Sequence, residues 1–194
     1  MRVLRLFAIC AVSLGLAGCY QSVPDPEVTA RDARWMALTP NHQLDPRFER
    51  YIVDYHTTEA PGTIIVETGQ RLLYFVMEDG KAVRYGVAVG DEAYGWTGAA
   101  TIARRAEWPS WNPTADMRQR WPHVYSMDGG PNNPMGARAL YLYENGRDTL
   151  YRIHGTNEPE KIGLAVSSGC IRMRNIDVID LYQRVAVGAK VIVR

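Results

Sequence analysis

Short runs of mostly apolar residues recur along the chain, and polar, glycine-containing turns separate them. Such runs are typical of β-strands, and Asp-Gly or Asn-Gly between two of them is typical of a hairpin. Two hairpins are predicted in this way, at Asp79-Gly80 and at Asn145-Gly146. The predicted strands span 63–67, 71–77, 82–89, 101–108, 139–143, 150–153 and 190–193.

Helical periodicity is confined to a few short segments. The segments 115–121 and 176–185 are predicted to be helical, and the second carries Asp177 near its start, where a negative charge suits the helix dipole. The pattern therefore predicts a fold class that is mainly β with a few short helices.

The N-terminus has the pattern of a secretory signal. Arg2 and Arg5 precede an apolar run over 6–16 that is too short for an ordinary transmembrane helix. The run ends in Leu-Ala-Gly-Cys19, which has the form of a bacterial lipobox. We expect residues 1–18 to be a signal peptide and Cys19 to be the lipidation site. The alternative is that Cys19 is incidental and cleavage occurs elsewhere.

The next segment, 19–58, is rich in proline and charge and has little periodicity. It is predicted to be a Pro-rich tether, extended or partly helical around 30–38, that follows the lipidated cysteine. Residues 59–194 hold the strand signals and are predicted to form the folded domain. A chain of 194 residues suits one domain with an appendage.

Composition excludes several classes of function. The net charge of +1 gives no reason to expect nucleic-acid binding. Neither a His-Glu-x-x-His nor a Cys-x-x-Cys motif is present, so no metal is expected, and no cofactor motif is present. Of the three cysteines, Cys10 is lost with the predicted signal and Cys19 is lipidated, so Cys170 is left without a disulfide partner.

Cys170 has the sequence context of a nucleophile. It follows Ser167-Ser168-Gly169, a polar and flexible approach, and His154 precedes it by 16 residues. A thiolate is the reactive form of cysteine, and a nearby imidazole can generate it. The pair therefore points to acyl transfer. The alternative is a buried structural cysteine and an unrelated histidine.

The segment from His154-Gly155 to Ser167-Ser168-Gly169-Cys170-Ile171-Arg172 resembles the catalytic domain of L,D-transpeptidases of the YkuD type, in a lipoprotein form. These are cysteine enzymes that cross-link peptidoglycan, and the resemblance covers roughly residues 60–194. It implies a mixed β-sandwich or curled sheet. One departure is Ser168, which stands where the family usually has a histidine. We assign the base to His154.

The resemblance also implies roles for individual residues. The Cys170 thiolate would attack the carbonyl of a tetrapeptide stem, and the thioester would pass to the amine of a diamino-acid side chain. Backbone N–H groups at Ser168, Gly169 and Cys170 would hold the oxyanion, and the carbonyl of Gly155 would orient His154. Arg172 and Arg138 are candidates for binding stem carboxylates, with structural salt bridges as the alternative.

Other acceptors and another class of function remain open. Water as acceptor would make the protein an L,D-carboxypeptidase, and a protein amine, for example on an outer-membrane protein, would make it a protein-attaching enzyme. Ser168 also leaves room for a non-enzymatic, wall-binding lipoprotein. The expected location is the periplasmic side of the envelope, anchored to the membrane by lipid. The outer membrane is favoured because Tyr20, and not Asp, follows Cys19.

Overall fold

A computed structural model describes residues 20–91 and 95–194. The predicted signal peptide and its lipidation site, Cys19, lie outside the described residues. Within the described ranges, the helices are too short or too polar to cross a membrane.

Twelve strands and three α-helices make up the described part of the chain. The strands are β1 (Gln21–Ser22), β2 (Tyr51–Asp54), β3 (Ile64–Glu67), β4 (Leu72–Val76), β5 (Lys81–Gly86), β6 (Val89–Gly90), β7 (Gly98–Glu107), β8 (Arg138–Glu144), β9 (Arg147–His154), β10 (Ala165–Ser167), β11 (Ile171–Arg172) and β12 (Lys190–Val193). The helices are α1 (Ala30–Met36), α2 (Ala115–Arg120) and α3 (Asn175–Arg184). Short 3-10 turns cover Pro46–Phe48 and Pro159–Lys161.

One ten-stranded sheet forms the body of the protein, in the order β1-β2-β5-β4-β3-β12-β7-β8-β9-β11. The sheet curls, because Ala88, which follows β5, forms a bridge with Arg172 in β11 at the far end of the order. Its two halves share one core, in which Ile64 and Val83 belong to the same apolar cluster as Leu140. Helix α3 contributes to that cluster as well. A smaller parallel pair, β6 and β10, lies beside the main sheet.

The predicted fold class is confirmed, since most regular structure is β and the helices are few and short. Both hairpin turns are confirmed too. Asp79 and Gly80 have φ of 57° and 65°, and Asn145 and Gly146 have φ of 50° and 75°, the positive values that two-residue hairpin loops require. The apolar runs did not reveal β1, β2, β6, β10 and β11, most of which are only two or three residues long.

The prediction of a tether over 19–58 needs correction. Strand β1 pairs with β2, and β2 pairs with β5, so both strands belong to the main sheet. Helix α1 begins at the capping residue Thr29, whose hydroxyl accepts a hydrogen bond from the N–H of Asp32. The segment from residue 21 onward is therefore part of the folded domain, and only Tyr20 separates Cys19 from the first strand.

Helix α1 is attached to the sheet by a buried carboxylate. Asp32 is fully buried, and Arg138 donates to both of its oxygens at 2.9 and 2.8 Å. The indole N–H of Trp108 donates to the same carboxylate at 2.7 Å. Burial alone would raise the pKa of Asp32, but the hydrogen bonds from Arg138, Trp108 and Thr29 hold it well below its usual range. The carboxylate is thus charged, and it links the N-terminal segment to β8.

Replacing Asp32 with alanine is expected to lower the free energy of unfolding by about 3–5 kcal/mol, because it leaves the buried Arg138 cation without its partner. Arg31→Ala is the matched control on the same helix. It removes an exposed ion pair with Glu107 and should cost about 1 kcal/mol or less. Urea unfolding measures both. Equal, small losses in the two variants would mean that the N-terminal segment contributes little to the domain.

Candidate active site

His154 and Cys170 lie on neighbouring parallel strands at one edge of the main sheet. Strand β9 ends at His154, and the register pairs Ile153 with Ile171, so Cys170 lies beside Arg152. Alternate residues of a strand share a face, so Arg152, His154 and Cys170 are on one face and the two isoleucines are in the core. Strand spacing and rise put the α-carbons of His154 and Cys170 about 8 Å apart, a distance that their side chains can bridge.

His154 is held as a neutral base. Its Nδ1 lies 2.6 Å from the carbonyl oxygen of Gly155, which can only accept, so Nδ1 carries the proton and Nε2 has the lone pair. The residue is 4% exposed. Burial, together with the positive charge of Arg172, lowers the pKa of His154 to about 4. At neutral pH the imidazole can therefore take up a proton at Nε2.

The Cys170 thiol is half-buried, and this burial raises its pKa. A backbone hydrogen bond from Arg152 and the positive charges of Arg152 and Arg172 act in the opposite direction and favour the thiolate. A raised pKa keeps the proton on the Cys170 thiol, and a lowered pKa keeps the His154 imidazole unprotonated. The resting pair is therefore a neutral thiol and a neutral imidazole. The thiolate would then form as the proton moves to His154 during attack.

Ser167 shapes the turn that carries the thiol. Its hydroxyl donates to the carbonyl of Cys170 at 2.6 Å and accepts from the N–H of Gly169 at 3.2 Å. Gly169 has φ of 116°, a backbone conformation that residues with a side chain rarely adopt. The turn also packs closely on Gly90, where an added Cβ would lie 2.8 Å from the α-carbon of Gly169. The N–H of Gly169 already donates to Ser167, so the N–H groups of Ser168 and Cys170 are the remaining candidates for oxyanion donors.

Gly155 is required by close packing as well as by its carbonyl. A Cβ on Gly155 would lie 2.3 Å from the side-chain oxygen of Asn175, and one on Gly136 would lie equally close. That oxygen accepts from the N–H of Ala137 at 2.9 Å. The start of α3 is thereby fixed against the segment that follows His154.

Cys170 borders two grooves. The first has a volume of about 460 Å³ and is lined by the loop from Pro109 to Asn112, by Met135 and Tyr141, and by Arg152. The second has a volume of about 480 Å³ and is lined by the start of α2, by Thr149 to Tyr151 and by Ser168. The two grooves adjoin each other at Cys170, since both are also lined by Thr114, Met117 and Leu150.

The two arginines predicted to bind substrate are placed differently. Arg172 lies beside His154 in the register, and its guanidinium donates to Glu158 at 2.9 Å. Arg138 is 3% exposed and both ends of its guanidinium contact Asp32, so its geometry fits the structural salt bridge and not a substrate contact. The two tryptophans of the predicted loop also separate: Trp108 is buried beside Asp32, whereas Trp111 lines the first groove.

Sequence reasoning missed Ser167, Arg152 and Asp32. Arg152 had a usable signal, because it precedes His154 by two residues on a predicted strand and must share its face. Ser167 and Asp32 had no such signal in the sequence. The partners of Ser167 depend on the folded turn, and Asp32 contacts Arg138, which is 106 positions away in the chain. Within residues 20–91 and 95–194, no group of three histidine, cysteine or acidic residues could hold a metal ion.

The two serines before Gly169 should respond differently to removal of the hydroxyl. Ser168→Ala should keep the rate of Cys170 acylation within about tenfold, because it loses at most one neutral hydrogen bond. Ser167→Ala loses two, worth about 1–3 kcal/mol together, and should slow acylation by about 5- to 150-fold. Intact mass measured over time gives both rates. A dead Ser168→Ala variant would make that hydroxyl a direct participant.

Comparisons with known proteins point to one family. The model of the L,D-transpeptidase catalytic domain family, YkuD, matches residues 61–193. The probable L,D-transpeptidase YbiS of Escherichia coli K12 is 37% identical over 143 residues, covering 69% of this chain and 44% of YbiS. This chain therefore spans less than half the length of that relative.

Solved structures include two informative neighbours. A Brucella melitensis protein, described as a probable carnitine operon oxidoreductase, is 46% identical with a TM-score of 0.53, covering 75% of this chain and 93% of that one. An L,D-transpeptidase from Mycobacterium smegmatis has a TM-score of 0.54 at 16% identity, covering 68% of this chain and 58% of that one. The second likeness concerns the fold alone.

Proposed function

The chain belongs to the YkuD family of L,D-transpeptidase catalytic domains, and on that premise we propose that it is a cysteine acyltransferase that acts on peptidoglycan stem peptides. The observation that carries the proposal is the position of His154 and Cys170. His154 ends β9 and Cys170 directly precedes the neighbouring strand β11 on the same face, so the strand register brings a neutral imidazole close to a thiol that borders two grooves.

In the first half-reaction, Cys170 attacks the stem carbonyl that precedes the terminal D-alanine. The thiol proton moves to Nε2 of His154 as the sulfur–carbon bond forms. N–H groups at Ser168 and Cys170 stabilise the oxyanion, where each donor is worth about 3–4 kcal/mol in comparable sites. The carbon–nitrogen bond then breaks, and His154 returns the proton to the departing amine. The product is a thioester on Cys170 and free D-alanine.

In the second half-reaction, an amine of a diamino-acid side chain attacks the thioester. His154 accepts the proton of the amine, the new amide bond forms, and the carbon–sulfur bond breaks. The sulfur recovers the proton and Cys170 returns to the thiol. The two adjoining grooves support this sequence, because both border Cys170 and together they offer room for a donor and an acceptor.

The proposal is tested by incubating the purified protein with a tetrapeptide stem, alone and with a second stem that supplies the amine. Intact mass detects the thioester, and peptide mass identifies the product. A cross-linked dimer supports the transpeptidase. A tripeptide alone would assign water as the acceptor and make the enzyme a carboxypeptidase. No acylation of Cys170 by any stem would contradict the proposed chemistry and favour a wall-binding protein.

A further inference from the structure

A row of side chains crosses the sheet and ends at the nucleophile. The register pairs Arg104 in β7 with Tyr141 in β8, and Tyr141 with Arg152 in β9. Cys170 is the next residue in this row, because Ile171 pairs with Ile153. All four residues lie on the same face and line the first groove. The floor of that groove thus carries two guanidinium groups on the approach to the thiol.

The two arginines differ in their partners. The guanidinium carbon of Arg152 is 4.4 Å from the centre of the Tyr141 ring, and the group donates to Asp148 at 2.6 and 2.8 Å. Its charge is therefore already matched. The guanidinium carbon of Arg104 is 3.4 Å from the same ring centre. Arg104 is exposed, and within residues 20–91 and 95–194 it has no carboxylate within salt-bridge distance.

Stacking on Tyr141 leaves the binding edge of Arg104 available. A guanidinium that stacks against a ring uses its face, while its N–H groups point outward in the plane. A planar fork of this kind matches a carboxylate with two parallel hydrogen bonds. The ring also restricts the long side chain, so less conformational entropy is lost when a ligand binds. Arg104 therefore has the geometry of a prepared carboxylate receptor.

We infer that Arg104, held by Tyr141, binds a carboxylate of the donor stem during acylation of Cys170, an inference that rests on the proposed function. The α-carbons of Arg104 and Cys170 are three strand spacings apart, about 14 Å. The Arg104 side chain folds back over Tyr141, which shortens the span to the thiol. At about 3.3–3.6 Å per extended residue, the bound carboxylate lies roughly two to three residues from the scissile carbonyl. The carboxylate of the departing D-alanine is too near, so the ligand is a carboxylate on the retained part of the stem.

The competing negative charge lies next to the groove, on Asp148. Its carboxylate is bound by both ends of the Arg152 guanidinium, and Arg152 and Arg104 both contribute to the lowered pKa of Asp148. Asp148 therefore neutralises Arg152, and the net charge of these three groups is positive. A stem carboxylate bound at Arg104 would neutralise this remaining positive charge.

The test combines one substitution with chemical changes in the substrate. Arg104→Gln removes the charge and the planar fork but leaves the strand intact. Acylation of Cys170 is followed by intact mass with a synthetic tetrapeptide stem and with versions amidated at one retained carboxyl group at a time. The matched control is Arg47→Gln, which removes one positive charge from an exposed side chain beyond the groove. Thermal unfolding of each variant establishes that the fold is intact.

With the free-carboxylate stem, Arg104→Gln should raise KM by about 10- to 100-fold with little change in kcat, because a charged hydrogen bond is worth about 1.5–3 kcal/mol and is made equally in the ground and transition states. Amidation of the recognised carboxyl should cost the wild type a similar factor. The same amidated stem should show no further loss with Arg104→Gln. Arg47→Gln should match the wild type with every stem.

Each contrary outcome has a distinct meaning. Equal losses by Arg104→Gln on all stems, or no loss on any, would overturn the carboxylate subsite while the wild-type acylation upheld the proposed function. A wild-type protein that no stem acylates would overturn the proposed function and this subsite with it. The amidated position that abolishes the difference between wild type and Arg104→Gln identifies which carboxylate is bound.

Discussion

Replacing Cys170 with alanine is expected to abolish acyl transfer, with a loss of about 10³-fold or more, because the covalent intermediate can form only on its sulfur. Cys170 is the free cysteine of the described domain, so no second thiol is available to carry the acyl group. The side chain lies in a turn that is held by hydrogen bonds from Ser167 to the Cys170 carbonyl and from the Gly169 N–H to Ser167, and neither bond involves the sulfur. The substitution should therefore leave the fold unchanged.

The measurement is intact mass after incubation with a tetrapeptide stem, with product analysis over hours. Cys170→Ser is the matched variant. It retains a nucleophilic atom and nearly the same volume, but its hydroxyl is far less acidic than a thiol, so His154 should activate it poorly. Thermal unfolding near the wild-type midpoint would establish that both variants fold. Cross-linking within a few-fold of the wild type in Cys170→Ala would remove Cys170 from the mechanism.

Replacing His154 with alanine is expected to slow acylation by about 100-fold or more, through loss of proton transfer. Burial keeps the imidazole neutral, and the Gly155 carbonyl fixes the tautomer with the proton on Nδ1. His123 is the next candidate in the sequence, but it is exposed in the loop between α2 and β8. His123→Ala is therefore the control and should retain wild-type rates. A loss in His123→Ala with normal acylation in His154→Ala would place the base elsewhere.

The lowered pKa of His154 makes a separate prediction about the wild-type pH profile. The imidazole acts as a base only when neutral, so its contribution is complete well above a pKa of about 4 and is lost as the pH falls through that value. The value of kcat/KM should stay nearly level from about pH 8 down to about pH 5. An acid limb near the ordinary histidine pKa of 6.5 would contradict the burial argument.

The same pKa shift affects stability, and the two effects must be measured together. Between the ordinary pKa of 6.5 and the folded value of about 4, the unfolded chain binds a proton on this ring that the folded chain does not. Stability therefore falls as the pH drops through this window. Circular dichroism at each pH separates loss of the base from loss of the fold.

Local signals in the sequence were enough for the longer strands, the two hairpins and the candidate pair of His154 and Cys170. Apolar runs bounded by turn residues identified β3, β4, β5, β7, β8, β9 and β12, because each of these strands contributes apolar residues to the core. The turns at 79–80 and 145–146 were identified because few residues other than glycine and asparagine or aspartate adopt positive φ. The segment from His154 to Cys170 was enough to show the resemblance to the YkuD catalytic domain, since spacing and residue type are both visible in one stretch.

Tertiary structure decided the rest, because it depends on contacts between distant residues. The N-terminal segment has weak periodicity, and only the pairing of β2 with β5 and the contact of Asp32 with Arg138 make it part of the domain. Because its guanidinium is occupied by Asp32, Arg138 fits a structural role and not the predicted role in substrate binding. The row from Arg104 to Cys170 joins four strands, and its register is set by strand pairing across the sheet, which no local pattern encodes. Sequence by itself determined which residues have reactive chemistry, and the fold determined which side chains surround them.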